Sequence, residues 1–244
     1  MFNMNEILLN SKIIENRLYL PDIQLDRNDY LKLSKELTSL GGKWKGGKVG
    51  AFVFDFDPQL IVDKICNNKV NIKKMTQFFP TPNKIVKKML DGVEIKHSDK
   101  LLEPSAGQGA IIEELIKFNS NISYCEFEDI NVDILKNKYP NLKFLKHDFL
   151  EVDNLKFDKI FANPPFSKSQ DIIHIKHMYD LLNKDGVLVS ISGTSWKYKV
   201  DKKSKDFKDW LLTQKHSIED IESGEFSESG TNVATCLIKI YKNG

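Results

Sequence analysis

Leu102-Glu103-Pro104-Ser105-Ala106-Gly107-Gln108-Gly109-Ala110 links a short apolar run, Lys100 to Glu103, to a helical one, Ala110 to Asn119. The order is strand, carboxylate, glycine turn, helix. Gly107 and Gly109 let the backbone approach a ligand with no Cβ in the way. The same alternation continues on both sides. Asn83 to Asp91 reads as helix, Ile122 to Glu126 as strand, Val132 to Lys138 as helix and Leu142 to Leu145 as strand. Phe157 to Ala162 and Gly186 to Ser192 read as strands around a helix at Asp171 to Leu182, followed by a helix at Asp206 to Leu212 and a last strand at Ala234 to Tyr241. Strands alternating with helices of this length predict an α/β fold with a doubly wound, mostly parallel sheet. Ligands of such sheets bind outside the C-terminal ends of the strands.

Residues 1–72 follow another pattern and read as a small α+β unit; residues 73–244 hold the sheet. Tyr30, Leu33, Leu37 and Leu40 recur at helical spacing and stop at Gly41-Gly42, a helix terminator. Lys43-Trp44-Lys45-Gly46-Gly47-Lys48 reads as a glycine-rich turn before a strand at Gly50 to Phe54, and Asp57-Pro58 opens a helix to Cys66. Trp44 between lysines fits either a nucleic-acid contact or the core of a hairpin.

The 244 residues carry a formal net charge of +2, so bulk charge barely favours a polyanionic partner. Arg17 and Arg27 are the only arginines; lysines cluster at Lys43, Lys45 and Lys48 and from Lys197 to Lys208. Lysine is a point charge suited to phosphates rather than to bidentate reading of bases. Cys66, Cys125 and Cys236 are far apart, which indicates neither a disulfide framework nor a zinc site. His174 and His177 lie three apart on a helix with no third ligand nearby, so no metal is expected. Neither a signal peptide nor a membrane-spanning run is read, and a cytoplasmic protein is the expectation.

Three strand ends carry acids. A dinucleotide site calls for a third glycine and no carboxylate beside the pyrophosphate. Glu103, before Pro104 and Ser105, suits instead the cationic amino group of a methionine moiety, which favours S-adenosylmethionine over NAD. Glu126 is placed to accept from ribose hydroxyls, with Glu128 as the alternative. Asp148 is placed to accept from the adenine amino group of the cofactor while Phe149 packs on its ring. Taken singly, each acid is a surface residue at a turn; three in succession at the right strand ends point to one ligand. Gln77-Phe78-Phe79-Pro80-Thr81-Pro82 is either a linker into a proline-capped helix or a segment whose aromatics and Thr81 sit beside the methionine end.

Asn163-Pro164-Pro165-Phe166 follows the strand Phe157 to Ala162. The prolines end the strand and fix the backbone. An amino group conjugated to a purine is a poor nucleophile because its lone pair is delocalised. Two acceptors aimed at its N–H groups, the Asn163 side-chain oxygen and the Pro164 carbonyl, draw the nitrogen toward tetrahedral geometry. Phe166 offers a face for the target base. Catalysis is then positioning and electrostatic preorganisation, with the base flipped out of a duplex first.

Together these motifs resemble the amino-methyltransferase family and its N6-adenine DNA branch. The resemblance covers about residues 75–244 and rests on Gln77–Pro82, Glu103–Gly109, Glu126, His147–Phe149, Asn163–Phe166 and the strand Gly230–Ile240. It implies a Rossmann-like methyltransferase sheet with a reversed last strand. It also implies cofactor contacts that include Gln77, Phe79, Thr81, Pro82, Gly107, Glu126, Asp148, Phe149 and Asn163, and target contacts at Asn163, Pro164, Pro165 and Phe166. The motif order looks like the gamma class, and the N-terminal GGKWKGGKVGAFVF looks like methyltransferases of phages and mobile elements. Gamma-class enzymes usually carry a recognition domain after the last strand. Here recognition of DNA falls to residues 1–72, to the lysine-rich segment 193–230, or to a partner subunit or second copy. The same tetrapeptide also occurs in enzymes that methylate guanine in ribosomal RNA or a protein glutamine. A non-catalytic cofactor-binding subunit is the alternative from another class.

Overall fold

The computed structural model describes residues 3–67, 80–222, 224–226 and 233–243. In chain order its elements are α1 (Met4–Leu9), β1 (Lys12–Ile14), β2 (Arg17–Tyr19), α2 (Arg27–Ser39), β3 (Lys43–Lys45), β4 (Ala51–Val53) and α3 (Gln59–Cys66). There follow α4 (Asn83–Leu90), β5 (Leu101–Glu103), α5 (Ala110–Leu115), β6 (Ile122–Tyr124), α6 (Asp129–Lys138), β7 (Lys143–Phe144) and β8 (Phe157–Ala162). The last are α7 (Gln170–Asp180), β9 (Leu182–Gly193), α8 (Ser195–Tyr198), α9 (Lys202–Leu212), β10 (Lys215–Ile221) and β11 (Thr235–Tyr241). They form two compact units, Met1–Phe78 with Ile130–Pro140, and Phe79–Asp129 with Asn141–Gly244. The boundary read from the sequence at residues 72 and 73 lies outside the described residues.

In the first unit an antiparallel sheet of order β1-β2-β4-β3 buries Leu18 and Phe52 against Leu33 and Leu37 of α2, Ile61 and Ile65 of α3, and Ile130 and Ile134 of α6. The Asp26 side chain caps α2 by accepting from the amides of Asn28 (2.8 Å) and Asp29 (3.0 Å). The helix ends where Gly41 turns left-handed (φ 96°), with the Gly41 amide donating to Thr38 O and the Gly42 amide to Leu37 O. Gly42 is also required sterically: a Cβ there would lie 2.7 Å from the Phe54 ring. The expected turn at Lys43–Lys45 is instead the edge strand β3, and the glycines that follow it make the turn into β4. Trp44 stands 5.1 Å from Phe52 and 6.5 Å from Tyr30, ring to ring, and is 44% exposed. It seals the edge of the hydrophobic core.

The second unit is built on a seven-stranded sheet of order β10-β11-β9-β8-β5-β6-β7. β5 pairs in parallel with β6 and β8, β6 with β7, and β8 with β9. β11 runs antiparallel to both β9 and β10. This is the mostly parallel, doubly wound sheet with a reversed last strand. All of β5 is buried, as befits a central strand of a parallel sheet. The core includes Leu102, Ile160, Leu188 and Ile238 from the sheet and Ile172, Ile175 and Met178 from α7. The chain leaves β5 toward β6 on one side and toward β8 on the other, so the topological switch lies between β5 and β8. β10 was not evident in the sequence, since six of its seven residues are not buried. As an edge strand carrying charges it resists further pairing. No helix among the described residues is long and apolar enough to cross a membrane.

Candidate active site

Parallel strands bring their C-terminal ends to one edge of the sheet. Asn163 follows β8, Glu103 ends β5, Glu126 lies two residues past β6 and Asp148 four past β7. These four strands are consecutive in the sheet, so the residues form a row about 15 Å long at ordinary strand spacing. The chain is stitched sideways along this edge. The Cys125 amide donates to Glu103 O, the Ala106 amide to Cys125 O and the Leu145 amide to Tyr124 O, all at 2.9–3.0 Å.

Glu103 is 1% exposed, and its Oε2 has no hydrogen-bond partner among the described residues. Burial pushes its carboxyl well above the ordinary range, and the nearby Glu126 adds to the rise; a hydrogen bond from the Ile112 amide opposes it. A buried acceptor without a donor is costly. A cationic amino group at this strand end would satisfy it. Glu126 is buried as well, but its oxygens are engaged. Oε2 accepts from the Gly107 amide at 2.7 Å and Oε1 from the Glu128 amide at 2.8 Å. Gly107 and Gly109 are left-handed (φ 54° and 88°), and Gly109 opens α5. Glu126 therefore holds the glycine turn in shape. Glu128 is half-buried at the entrance to α6. Pro104 is buried and Ser105 half-buried in the same turn.

Asp148 Oδ1 caps a short 3-10 turn, Phe149–Glu151, by accepting from the Leu150 amide at 2.9 Å. Phe149 does not present an open face. It is 2% exposed, and its ring lies 5.4 Å from His174 and 4.8 Å from His177. In this structure it is a core residue beneath the row of acids. Gln77 and Phe79 lie outside the described residues, as does Gly230 at the start of the expected final motif. Pro82 is half-buried immediately before α4.

Thr81 and Asn163, 82 positions apart, meet: Asn163 Nδ2 donates to Thr81 Oγ1 at 3.0 Å. Asn163 is half-buried and Pro164 buried, while Pro165 and Phe166 are half-buried. The Phe166 ring packs near the end of β9, its Cγ 3.9 Å from where a Cβ on Gly193 would stand. Lys168 and Ser169 directly after it are both left-handed (φ 54° and 58°). Non-glycine residues rarely adopt that conformation, and such strain persists where surrounding structure enforces it.

Asp171, in the first turn of α7, supplies a constraint that sequence reasoning missed. Its buried Oδ2 accepts from Ser192 Oγ (2.7 Å) and the Gly193 amide (3.0 Å), and Ser192 Oγ accepts from Trp196 Nε1 (3.0 Å). Burial raises the Asp171 carboxyl, and these hydrogen bonds oppose the rise. The network fixes the end of β9 on which Phe166 rests. The only sequence signal was an acid soon after the proline pair.

A family model described as ribosomal RNA adenine dimethylase matches residues 67–191. The ribosomal RNA small subunit methyltransferase A of Malacoplasma penetrans is 34% identical over 106 residues, which are 41% of this chain and 39% of the relative. This chain spans about two fifths of the length of the curated relatives it matches. Among solved structures, a modification subunit assigned to a type I restriction enzyme of Vibrio vulnificus superposes with a TM-score of 0.60 at 15% identity, over 92% of this chain and 59% of that one. A dimethyladenosine transferase from Plasmodium falciparum superposes with a TM-score of 0.52 at 18% identity, over 67% of this chain and 62% of that one. These two likenesses show the fold. S-adenosylmethionine is the methyl donor of the matched family. The sequence relatives do not carry the expectation of a DNA-specific, phage or mobile-element enzyme, since their names speak of ribosomal RNA.

Proposed function

Because this chain belongs to the ribosomal RNA adenine dimethylase family, we propose that it transfers methyl groups from S-adenosylmethionine to the N6 amino group of adenine in RNA. The observation that carries this reading is the hydrogen bond from Asn163 Nδ2 to Thr81 Oγ1. It fixes the amide so that Oδ1 is left as the acceptor at the end of β8. That oxygen and the Pro164 carbonyl accept from the two N6–H groups and localise the nitrogen lone pair, and Phe166 stacks on the target ring. The two prolines keep both acceptors in place, so little reorganisation accompanies the reaction.

When bound, S-adenosylmethionine supplies an electrophilic methyl group on a sulfonium. Glu103 takes its amino group on the orphaned Oε2, Gly107 and Gly109 admit its body, Glu126 accepts from the ribose, and Asp148 accepts from its adenine amino group through the oxygen not spent on the cap. The neighbouring Glu126 also makes the local field favourable to a cation.

Adenine in DNA is the second reading. It is favoured by the direct contact between the Gln77–Pro82 motif and the Asn163–Phe166 motif, through Thr81, since that pair of motifs resembles the DNA branch. Incubation with methyl-labelled S-adenosylmethionine and, separately, unmodified small-subunit ribosomal RNA, unmethylated duplex DNA and ribosomal protein decides. Label in RNA is the expected result. Label in DNA alone replaces the first reading with the second, and label in neither nucleic acid overturns both.

A further inference from the structure

Val200 and Tyr198 are the two most exposed large hydrophobic side chains among the described residues, at 94% and 81%. A single exposed apolar residue needs no explanation. Two of them, one residue apart on a loop that is firmly held, do. Trp196 at the base of the loop is buried, packs edge-on against Phe207 of α9 at 4.9 Å and donates to Ser192. Asp201 caps α9 by accepting from the Ser204 amide and hydroxyl. Lys197 pairs with Asp220, and Lys208 Nζ donates to Lys199 O at 3.1 Å. The frame is ordered, and it presents its apolar tips outward.

The position of the loop gives this meaning. β9 pairs with β8 up to Ala162 and Ser190, and it ends at Gly193, against which Phe166 packs. Tyr198 lies five residues beyond Gly193, four of them in α8, so its Cα is within about 10 Å of that contact. The charge around it is one-sided. Residues 195–208 contain six lysines against Asp201 and Asp206, and the Asp201 carboxylate is spent on its cap. Lys199, Lys202, Lys203 and Lys205 are exposed and have no carboxylate within ion-pairing distance among the described residues.

Resting on the function proposed above, we infer that Tyr198 and Val200 are the wedge that enters the base stack beside the target adenine, with the four lysines on the flanking phosphates. Extruding a base leaves its neighbours unstacked and a gap in the strand. Apolar side chains inserted at such a step restore contact with the neighbouring bases and hold the strand open. Lysines without ion-pair partners supply the sequence-independent attraction that brings the backbone to the loop. The occupant is a nucleic-acid strand, because four exposed lysines form no ion pair among the described residues and the apolar tips need a flat apolar surface to cover them.

The test uses the full chain, methyl-labelled S-adenosylmethionine and whichever of unmodified ribosomal RNA or duplex DNA the wild type labels. The double variant Tyr198→Ala, Val200→Ala is expected to keep its melting temperature and its affinity for S-adenosylmethionine. Its kcat/KM for the polynucleotide falls at least tenfold, and Tyr198→Trp retains most of the rate. Lys202→Gln with Lys203→Gln weakens binding to poly(A) RNA and lowers the slope of log affinity against log salt by about 1.4. A wild type active on a polynucleotide alongside a double variant of equal kcat/KM overturns the wedge and leaves the function standing. A wild type that methylates no polynucleotide overturns both.

Discussion

Asn163 Nδ2 donates to Thr81 Oγ1 at 3.0 Å, so a hydroxyl 82 positions away in sequence orients this side-chain amide. Thr81→Val keeps the shape and removes the acceptor. The amide is then free to turn its nitrogen toward the target amino group, where a donor faces a donor. kcat is expected to fall by about 10² to 10³, the range seen when a preorganised polar group is lost, while Thr81→Ser stays near wild type. Steady-state kinetics of the two variants check this, and an unimpaired kcat in Thr81→Val would break the assignment.

Burial holds Glu103 protonated above the ordinary carboxylate range in the free protein. A cationic amino group on Oε2 favours the carboxylate, so binding of S-adenosylmethionine expels a proton. Affinity should therefore strengthen as pH rises toward the elevated pKa. Calorimetric titration in two buffers of different ionisation enthalpy should give different apparent heats, and Glu103→Gln should remove the Glu103 share of that difference. Equal heats for the wild type in both buffers contradict the placement.

Burial pushes the His174 imidazole down to about 4 from its ordinary 6.5, with Asp148 opposing and His177 adding to the fall. The folded-state pKa is depressed, so the unfolded chain takes up the proton first as pH drops. The stability tied to the neutral ring is intact above pH 6.5 and is lost on descent to about pH 4. The loss approaches about 3 kcal/mol. His174→Leu, which also removes a buried Nδ1 with no hydrogen-bond partner among the described residues, should flatten the melting temperature across that window. Parallel curves for variant and wild type would exclude His174 as the cause.

Asp171 is the acceptor for both the Ser192 hydroxyl and the Gly193 amide. Asp171→Ala strands two buried donors and is expected to cost about 2 to 4 kcal/mol. Thermal unfolding should show this as a drop of about 5 to 15 °C. Trp196 emission should shift to the red as its partner Ser192 comes loose. A variant with native melting and native emission shows that the network contributes nothing.

The elements that were legible in the sequence are those whose cause is local. Glu103 with Gly107 and Gly109, and Asn163 with its prolines, announce strand ends because an acid or a proline must stop a buried strand within one or two residues. Gly41-Gly42 ends α2 for the same kind of reason. What failed depended on neighbours distant in sequence. β10 is an exposed, charged edge strand whose only apolar anchor on the core is Ile221, so it carries no clean alternation. β3 is three residues, Lys-Trp-Lys, ordered by pairing with Ala51–Val53 rather than by its own preference. Phe149 after Asp148 fits a stacking ring as well as a core ring, and its packing against His174 and His177, 25 and 28 positions away, is not written in the local sequence. The Asp171 network and the Thr81–Asn163 pair span 21 and 82 positions, and periodicity carries no such information.

The central claim is methyl transfer to adenine N6 with Asn163 as the acceptor that activates the amino group. Mass spectrometry of nucleosides from ribosomal RNA treated with methyl-labelled S-adenosylmethionine, wild type beside Asn163→Ala, tests it most directly. Labelled N6-methylated adenosine is expected from the wild type and none from the variant, with S-adenosylmethionine binding retained in both. Label on another nucleoside, or undiminished labelling by Asn163→Ala, would contradict it.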